Sequence, residues 1–286
     1  MKSIRHIISI VFLLLCISGW AQDPREGNTR FFEPVIDGEV IYRGEDVVFR
    51  KIGEGTWMGS GHLIASETLY LLEGKNKALL IDTGTRISGL QKIISNITDK
   101  PVTVVLTHIH GDHAGNIDSF PEIWINPNEL PAGGNSADLT KYPGKVRHLS
   151  DGQKIDLGGR TIEVLFAPGH TLGSTIFLDP SRKCGYSGSA FGSGNLNLKT
   201  SVSSFISMCK STLSVLKKKK INILYPGHYF GNNPDTPERI KIMQELASDI
   251  LSGKVEGAPA TEGYPGNDKI ASRGMFKIGY SSSNVK

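Results

Sequence analysis

Cysteine is scarce in this chain. Three occur in 286 residues, Cys16, Cys184 and Cys209, too few for a disulfide framework, and the last two are expected as core thiols. Charge of one sign is lacking too. A formal net charge of +4, much of it in Lys217 to Lys220 and near the N-terminus, implies no nucleic-acid surface. The lysine run reads instead as a solvated helix end, where cations meet the negative pole of the dipole. Long apolar runs are absent beyond the first 21 residues, so the mature chain is expected to have no integral membrane segment. What remains, 38% hydrophobic and 21% charged with 33 glycines, is the composition of a globular protein rather than a disordered or fibrous one.

The early apolar run has its own reading. Lys2 and Arg5 precede Ile7 to Ile17, and Gly19-Trp20-Ala21 leads into a polar stretch, which is the pattern of a secretory signal peptide over residues 1–21. Export to the periplasm or the medium is the expectation. Cys16 follows Leu13-Leu14-Leu15 rather than a small residue, so a lipoprotein is the second reading. Residues 22–44 are then an N-terminal extension and 45–286 the main domain.

Within that domain, Thr68 to Leu72 and Ala78 to Ile81 flank a turn signal at Glu73 to Lys77 and predict a hairpin. Ile87, Leu90, Ile94 and Ile97 fall at helical spacing and predict a crossover helix to the strand Thr103 to Leu106. This β-α-β order puts Asp82 and His108 at one sheet edge, with Asp82 either a helix cap or a partner of a ligand imidazole. Further strands are predicted at Arg160 to Phe166, Ser174 to Leu178, Cys184 to Ser187 and Ile221 to Leu224. Helices are predicted at Ser203 to Leu216 and after the Thr236-Pro237 start signal.

The densest chemistry is Thr107-His108-Ile109-His110-Gly111-Asp112-His113, three imidazoles and a carboxylate where an apolar strand ends. Alternation along the strand lets His108 and His110 face one way, and the turn at Gly111 returns Asp112 and His113 from another. Imidazole nitrogen and carboxylate oxygen suit zinc, so two ligand clusters sharing one loop are expected. Two other strand ends carry a histidine, in Pro168-Gly169-His170-Thr171 and Pro226-Gly227-His228. His62 and His148 lack such a setting and read as structural or surface residues.

Taken in order, Leu80-Ile81-Asp82-Thr83-Gly84, the His/Asp box and the two Pro-Gly-His pieces resemble the metallo-β-lactamase superfamily over roughly residues 45–250. The resemblance implies an α/β fold, an αβ/βα four-layer sandwich of two β-sheets flanked by helices. It also implies two zinc ions: His108, His110 and His170 would hold the first, and Asp112, His113 and His228 the second. Asp112 would be catalytic as well, orienting the attacking water or passing on its proton. Ser189 stands where most members have a metal-bridging Asp, as in the class B3 metallo-β-lactamases, so the second zinc should bind more weakly. The hydroxyacylglutathione hydrolases use that Asp and are correspondingly disfavoured.

The implied activity is hydrolysis of a small-molecule ester, lactone, thioester or amide by a metal-activated water. The alternatives are a class B3-like β-lactamase and a metal-binding protein with weak or no turnover. Loops at Gly55 to His62, Asn126 to Gly144 and Phe191 to Thr200 are expected to set specificity. Lys199 is either a substrate-carboxylate partner or an ordinary exposed lysine, and Tyr229 either an oxyanion donor or a packing residue.

Overall fold

The computed structural model describes residues 34, 36–61, 66–129, 136–229, 232–260 and 263–286. The expected signal peptide and His62 lie outside them.

Eight strands form the first sheet in sequence order: β1 (Glu39–Arg43), β2 (Val47–Gly53), β3 (Thr56–Gly61), β4 (Thr68–Glu73), β5 (Ala78–Ile81), β6 (Val102–Val105), β7 (Glu122–Ile125) and β8 (Lys145–His148). β1 to β5 pair antiparallel, including the predicted hairpin of β4 and β5, and β5 to β8 run parallel. Helix α1 (Leu90–Ile97) makes the predicted crossover from β5 to β6. The first strand thus comes from the stretch ahead of residue 45.

The second sheet has β9 (Lys154–Asp156), β10 (Thr161–Phe166), β11 (Thr175–Asp179) and β12 (Cys184–Gly188). The chain then makes β13 (Asn195–Asn197) and a helix at Val202–Lys219, and returns as β14 (Ile223–Pro226), parallel to β12. A helix at Pro237–Leu251 follows, begun by the Thr236 hydroxyl accepting from the Arg239 amide, with Pro237 at its first turn. The lysine run closes the Val202–Lys219 helix as expected, Lys220 taking the left-handed cap. Beyond it lies a third, four-stranded sheet that the sequence reading did not foresee, joining β13 to β15 (Ala258–Pro259), β16 (Lys269–Arg273) and β17 (Phe276–Tyr280).

Alternation along the strands builds the layers. Leu69 and Leu71 pack with Leu90, Ile93 and Ile94 of α1 on the outer face of the first sheet. Tyr70 and Leu72, one residue out of phase, pack with Ile162, Val164, Phe177 and Tyr186 of the second sheet. The outer face of that sheet, through Ile176 and Leu178, meets Phe205, Cys209, Ile240 and Met243 of the two long helices and Ile278 of the third sheet. Helix, sheet, sheet and helix therefore stack in four layers. Buried Arg160 ties the two large sheets, pairing with Asp179 at 2.7 Å and donating to the Thr56 hydroxyl at 2.9 Å.

One expectation fails here. The glycine-rich stretch Gly55 to His62 was expected as a specificity loop, but Thr56–Gly61 is a fully buried strand inside the first sheet. Its Gly59 serves packing: a Cβ there would meet Leu69 and Phe49 at 2.9 Å. Cys184 and Cys209 are buried free thiols, as expected.

Candidate metal centre

Parallel neighbours in a sheet end on the same side, and ligand sites gather outside the carboxyl ends of such strands. β5 leads into Asp82, β6 into the loop with Thr107 and His108, β12 into Ser189, and β14 into Gly227 and His228. His108 to His110 leave β6 in a loop, while Asp112 and His113 sit on a four-residue helical turn, α2 (Gly111–Ala114). The two long helices are accordingly α3 (Val202–Lys219) and α4 (Pro237–Leu251).

Six predicted residues meet there as two groups. His108, His110 and His170 form one; Asp112, His113 and His228 form the other; within each, the candidate ligand atoms lie within 4.8 Å of one another. His148, exposed at the end of β8, belongs to neither group. Gly227 allows the close approach of the β14 loop, since a Cβ there would stand 2.6 Å from His113 Cε1.

Asp82 organises both groups. Its Oδ1 accepts from the Thr107 amide at 2.7 Å, and its Oδ2 accepts from the Thr107 hydroxyl at 2.7 Å and from His113 Nδ1 at 2.8 Å. Helix α1 is capped by Gly89 instead, so of the two readings of Asp82 the partner of an imidazole is the one realised. Having spent its one proton on Asp82, the Thr107 hydroxyl accepts from His108 Nδ1 at 3.1 Å. His170 Nδ1 donates to the Asn197 carbonyl at 3.0 Å, and that carbonyl is held by the third sheet through β13 and β17.

These bonds fix which nitrogens carry hydrogen. Each neutral imidazole has one donor and one lone pair, so His108 and His170 turn an unprotonated Nε2 into the site, and His113, held at Nδ1 by Asp82, does so whenever its ring is neutral. His108 Nε2 is buried and meets no hydrogen-bond partner among the described residues. His170 Nε2 faces His110 Nδ1 at 3.0 Å. Lone pairs converging in a buried space are what a cation satisfies, and the donor set of imidazole and carboxylate without thiolate fits zinc.

The electrostatics of the groups differ. Burial, reinforced by the neighbouring imidazoles, holds His108 well below the usual histidine range and pushes His170 down to about 3. Burial also lowers His110. In the second group burial again opposes charge on His113, but the carboxylates of Asp112 and Asp82 outweigh it and lift the ring to about 9. Burial opposes ionisation of Asp112 as well, yet His113 and His228 together hold its carboxyl below the ordinary range. The first group stays neutral, while in the second the carboxylates favour positive charge at His113, a place that a proton or a divalent cation can fill.

The Ser189 hydroxyl lies 3.3 Å from His113 Nε2, at the edge of the second group. The segment Phe191 to Thr200, expected as a loop, contains β13 and supplies the carbonyl that orients His170. Between Asn126 and Gly144, Ser136 bridges to His110 and Ala137 donates to the Ile109 carbonyl at 2.7 Å, so this segment packs on the histidine loop. Lys199 donates to the Pro265 carbonyl, and burial lowers its ammonium. Tyr229 is buried in the core between the sheets, its hydroxyl 3.3 Å from Asn232 Oδ1, which suits the packing reading. Two buried carboxylates beside this centre were not singled out from the sequence: Glu67, which accepts from the Thr85 amide at 3.2 Å, and Glu129, which accepts from the Ile109 amide at 3.3 Å. Neither lies in a dense or periodic pattern that would have singled it out.

The family model for the metallo-beta-lactamase superfamily matches residues 66–228, which contain all six residues of the two groups. The chain belongs to the metallo-beta-lactamase superfamily.

Relatives in this superfamily carry several names. The chain is similar to the beta-lactamase-like protein 2 homolog of Caenorhabditis elegans, 28% identical over 198 residues, covering 66% of this chain and 64% of that protein's length. It is similar to the acyl-coenzyme A thioesterase MBLAC2 of Gallus gallus, 26% identical over 221 residues, 64% of this chain and 78% of that one. A shorter match, 35% identical over 96 residues, joins 32% of this chain to 37% of a hydroxyacylglutathione hydrolase of Acidiphilium cryptum. Among solved structures, the fold is that of a metallo beta lactamase from Erythrobacter litoralis, with a TM-score of 0.55 at 17% identity, over 74% of this chain and all of that one. The fold class is thus the one the sequence resemblance implied, extended by the third sheet.

Proposed function

We propose that this protein is a zinc-dependent hydrolase exported from the cytoplasm, acting on a small acyl substrate in which a thioester or ester is cleaved. The observation that carries the proposal is the buried cluster of ligand atoms: two three-residue groups side by side, their rings oriented by Asp82, Thr107 and Asn197, with His108 Nε2 buried and without a hydrogen-bond partner among the described residues.

His108, His110 and His170 would hold one cation and Asp112, His113 and His228 a second. Bound there, zinc supplies Lewis-acid chemistry, polarising a carbonyl and bringing the pKa of water from 15.7 to about 7. The chain's own residues do the rest. Asp112, its Oδ2 3.2 Å from His228 Nε2 and 3.5 Å from His113 Nε2, stays ionised and accepts a hydrogen bond from the attacking water, orienting it and taking its proton. Ser189 brings a neutral hydroxyl where a carboxylate would add charge, so the second group holds its cation less tightly than a bridging Asp would allow.

The relative named as an acyl-coenzyme A thioesterase supports a thioester among the four candidate bonds. Export rests on Lys2 and Arg5 ahead of the apolar run Ile7 to Ile17. A hydrolysis screen over acyl thioesters, esters, lactones and β-lactams, with and without a chelator, tests the proposal. Chelator-sensitive turnover of thioesters supports it. Turnover of β-lactams alone favours the class B3-like reading, and none on any class leaves a metal-binding protein.

A further inference from the structure

The loops that carry His108, His110 and His170 are far apart in sequence, yet one buried side chain joins them. Glu129, 6% exposed, stands just past β7. Its Oε1 accepts from the amide of Ile109, the residue between His108 and His110, at 3.3 Å. Its Oε2 accepts from the hydroxyl of Thr171, the residue after His170, at 2.7 Å. The Gly173 amide also donates to this carboxylate, and a Cβ on Gly173 would collide with Oε2. Thr171 is anchored in turn, its amide and hydroxyl each 2.9 Å from Ser174 Oγ. A backbone bond from the Thr175 amide to the Thr107 carbonyl joins the same segments deeper in the fold; Glu129 joins them at the level of the histidines.

A carboxylate in such a place is costly to bury unless its oxygens are satisfied, and here they are satisfied by the two histidine loops. Among the described residues, no hydrogen bond runs from Glu129 to Asp112, His113 or His228. We infer that Glu129 is a positioning residue for the three-histidine group. It touches none of the candidate ligand nitrogens, yet it sets the separation of the two loops and so the affinity of that group for its cation, leaving the other group untouched. The inference rests on the reading of these groups as metal sites.

Zinc titration against a chromophoric chelator tests it in two backgrounds, His228→Ala, which leaves the three-histidine group intact, and His110→Ala, which leaves the other. Adding Glu129→Ala should weaken zinc binding about 10- to 100-fold in the His228→Ala background, the range typical of lost outer-shell partners, and change it less than about twofold in the His110→Ala background. Equal losses in both backgrounds, or none in either, overturn the inference. Should Glu129→Ala fail to fold, Thr171→Val and Thr171→Ser ask the same question at the other end of the bond. Val, which keeps the shape and loses the hydroxyl, should weaken the three-histidine group, and Ser should restore it; indistinguishable affinities would overturn the inference. Absence of zinc binding by the unmutated protein would remove the metal-site reading itself, a failure distinct from either outcome.

Discussion

Asp82 Oδ2 and His113 Nδ1 stand 2.8 Å apart, both side chains almost wholly buried, and the same oxygen accepts the Thr107 hydroxyl that orients His108. One carboxylate therefore sets a ring in each three-residue group. Asp82 has φ of 61°, a left-handed conformation that Asn also tolerates, so Asp82→Asn changes the hydrogen bonding with little backbone strain. An amide in that position must present an N–H to at least one group that is already a donor. Zinc affinity should fall about 10- to 100-fold at both groups, as read by chelator competition. A loss confined to one group would show that Asp82 does not couple them.

His110→Ala should lower hydrolysis by several orders of magnitude and His148→Ala should leave it within about twofold, because only His110 belongs to the candidate centre while His148 is exposed on β8. Steady-state kinetics of the two variants on one substrate measures this. Comparable losses would mean the ligand set is misassigned.

Ser189→Asp places a carboxylate beside His113, within 3.3 Å of whose Nε2 the serine hydroxyl now lies. Affinity for the second zinc should rise, with turnover unchanged or lower, because the added charge stabilises the cation and also weakens its pull on water. No gain in affinity together with a lower melting temperature would place Ser189 outside the centre, as an unpaired buried carboxylate is destabilising.

Asp235 supplies a pH test of the fold. Burial raises its carboxyl from 3.8 to about 7, against the Ser187 hydroxyl, which donates at 2.7 Å, and Arg239, both of which lower it. Below pH 3.8 the folded and unfolded chains are both protonated here and nothing is lost. As pH rises toward 7 the unfolded chain releases this proton first, so stability declines, by roughly 4 kcal/mol in full above the folded value. Asp235→Asn stays neutral, so its stability relative to the parent should increase from pH 4 to pH 8 in denaturant titrations. A constant difference across that range would show that Asp235 does not titrate in this way.

Much of this was legible in the sequence because it follows from local rules. The β4–β5 hairpin, the α1 crossover and the Thr236-Pro237 helix start depend on turn residues, periodicity and caps. That the six residues of the two groups would gather was legible because each follows a strand end, and parallel strands bring such ends together. Long-range packing was not legible. Gly59 and Gly61 read as loop until the neighbouring Leu69, Phe49 and Glu67 are seen to require them in a central strand. The third sheet pairs Asn195–Asn197 with residues some eighty positions later, a parallel contact that no local pattern announces. Glu129 and Asn197 act through a side chain and a carbonyl whose partners exist only once the loops meet.

Elemental analysis of the purified protein shows whether the two groups are metal sites. After zinc supplementation and removal of loosely held metal, the chain should retain about two zinc ions, falling to about one in His228→Ala. Retention of no zinc, or of iron in clear excess over zinc, would mean that the two groups are not zinc sites.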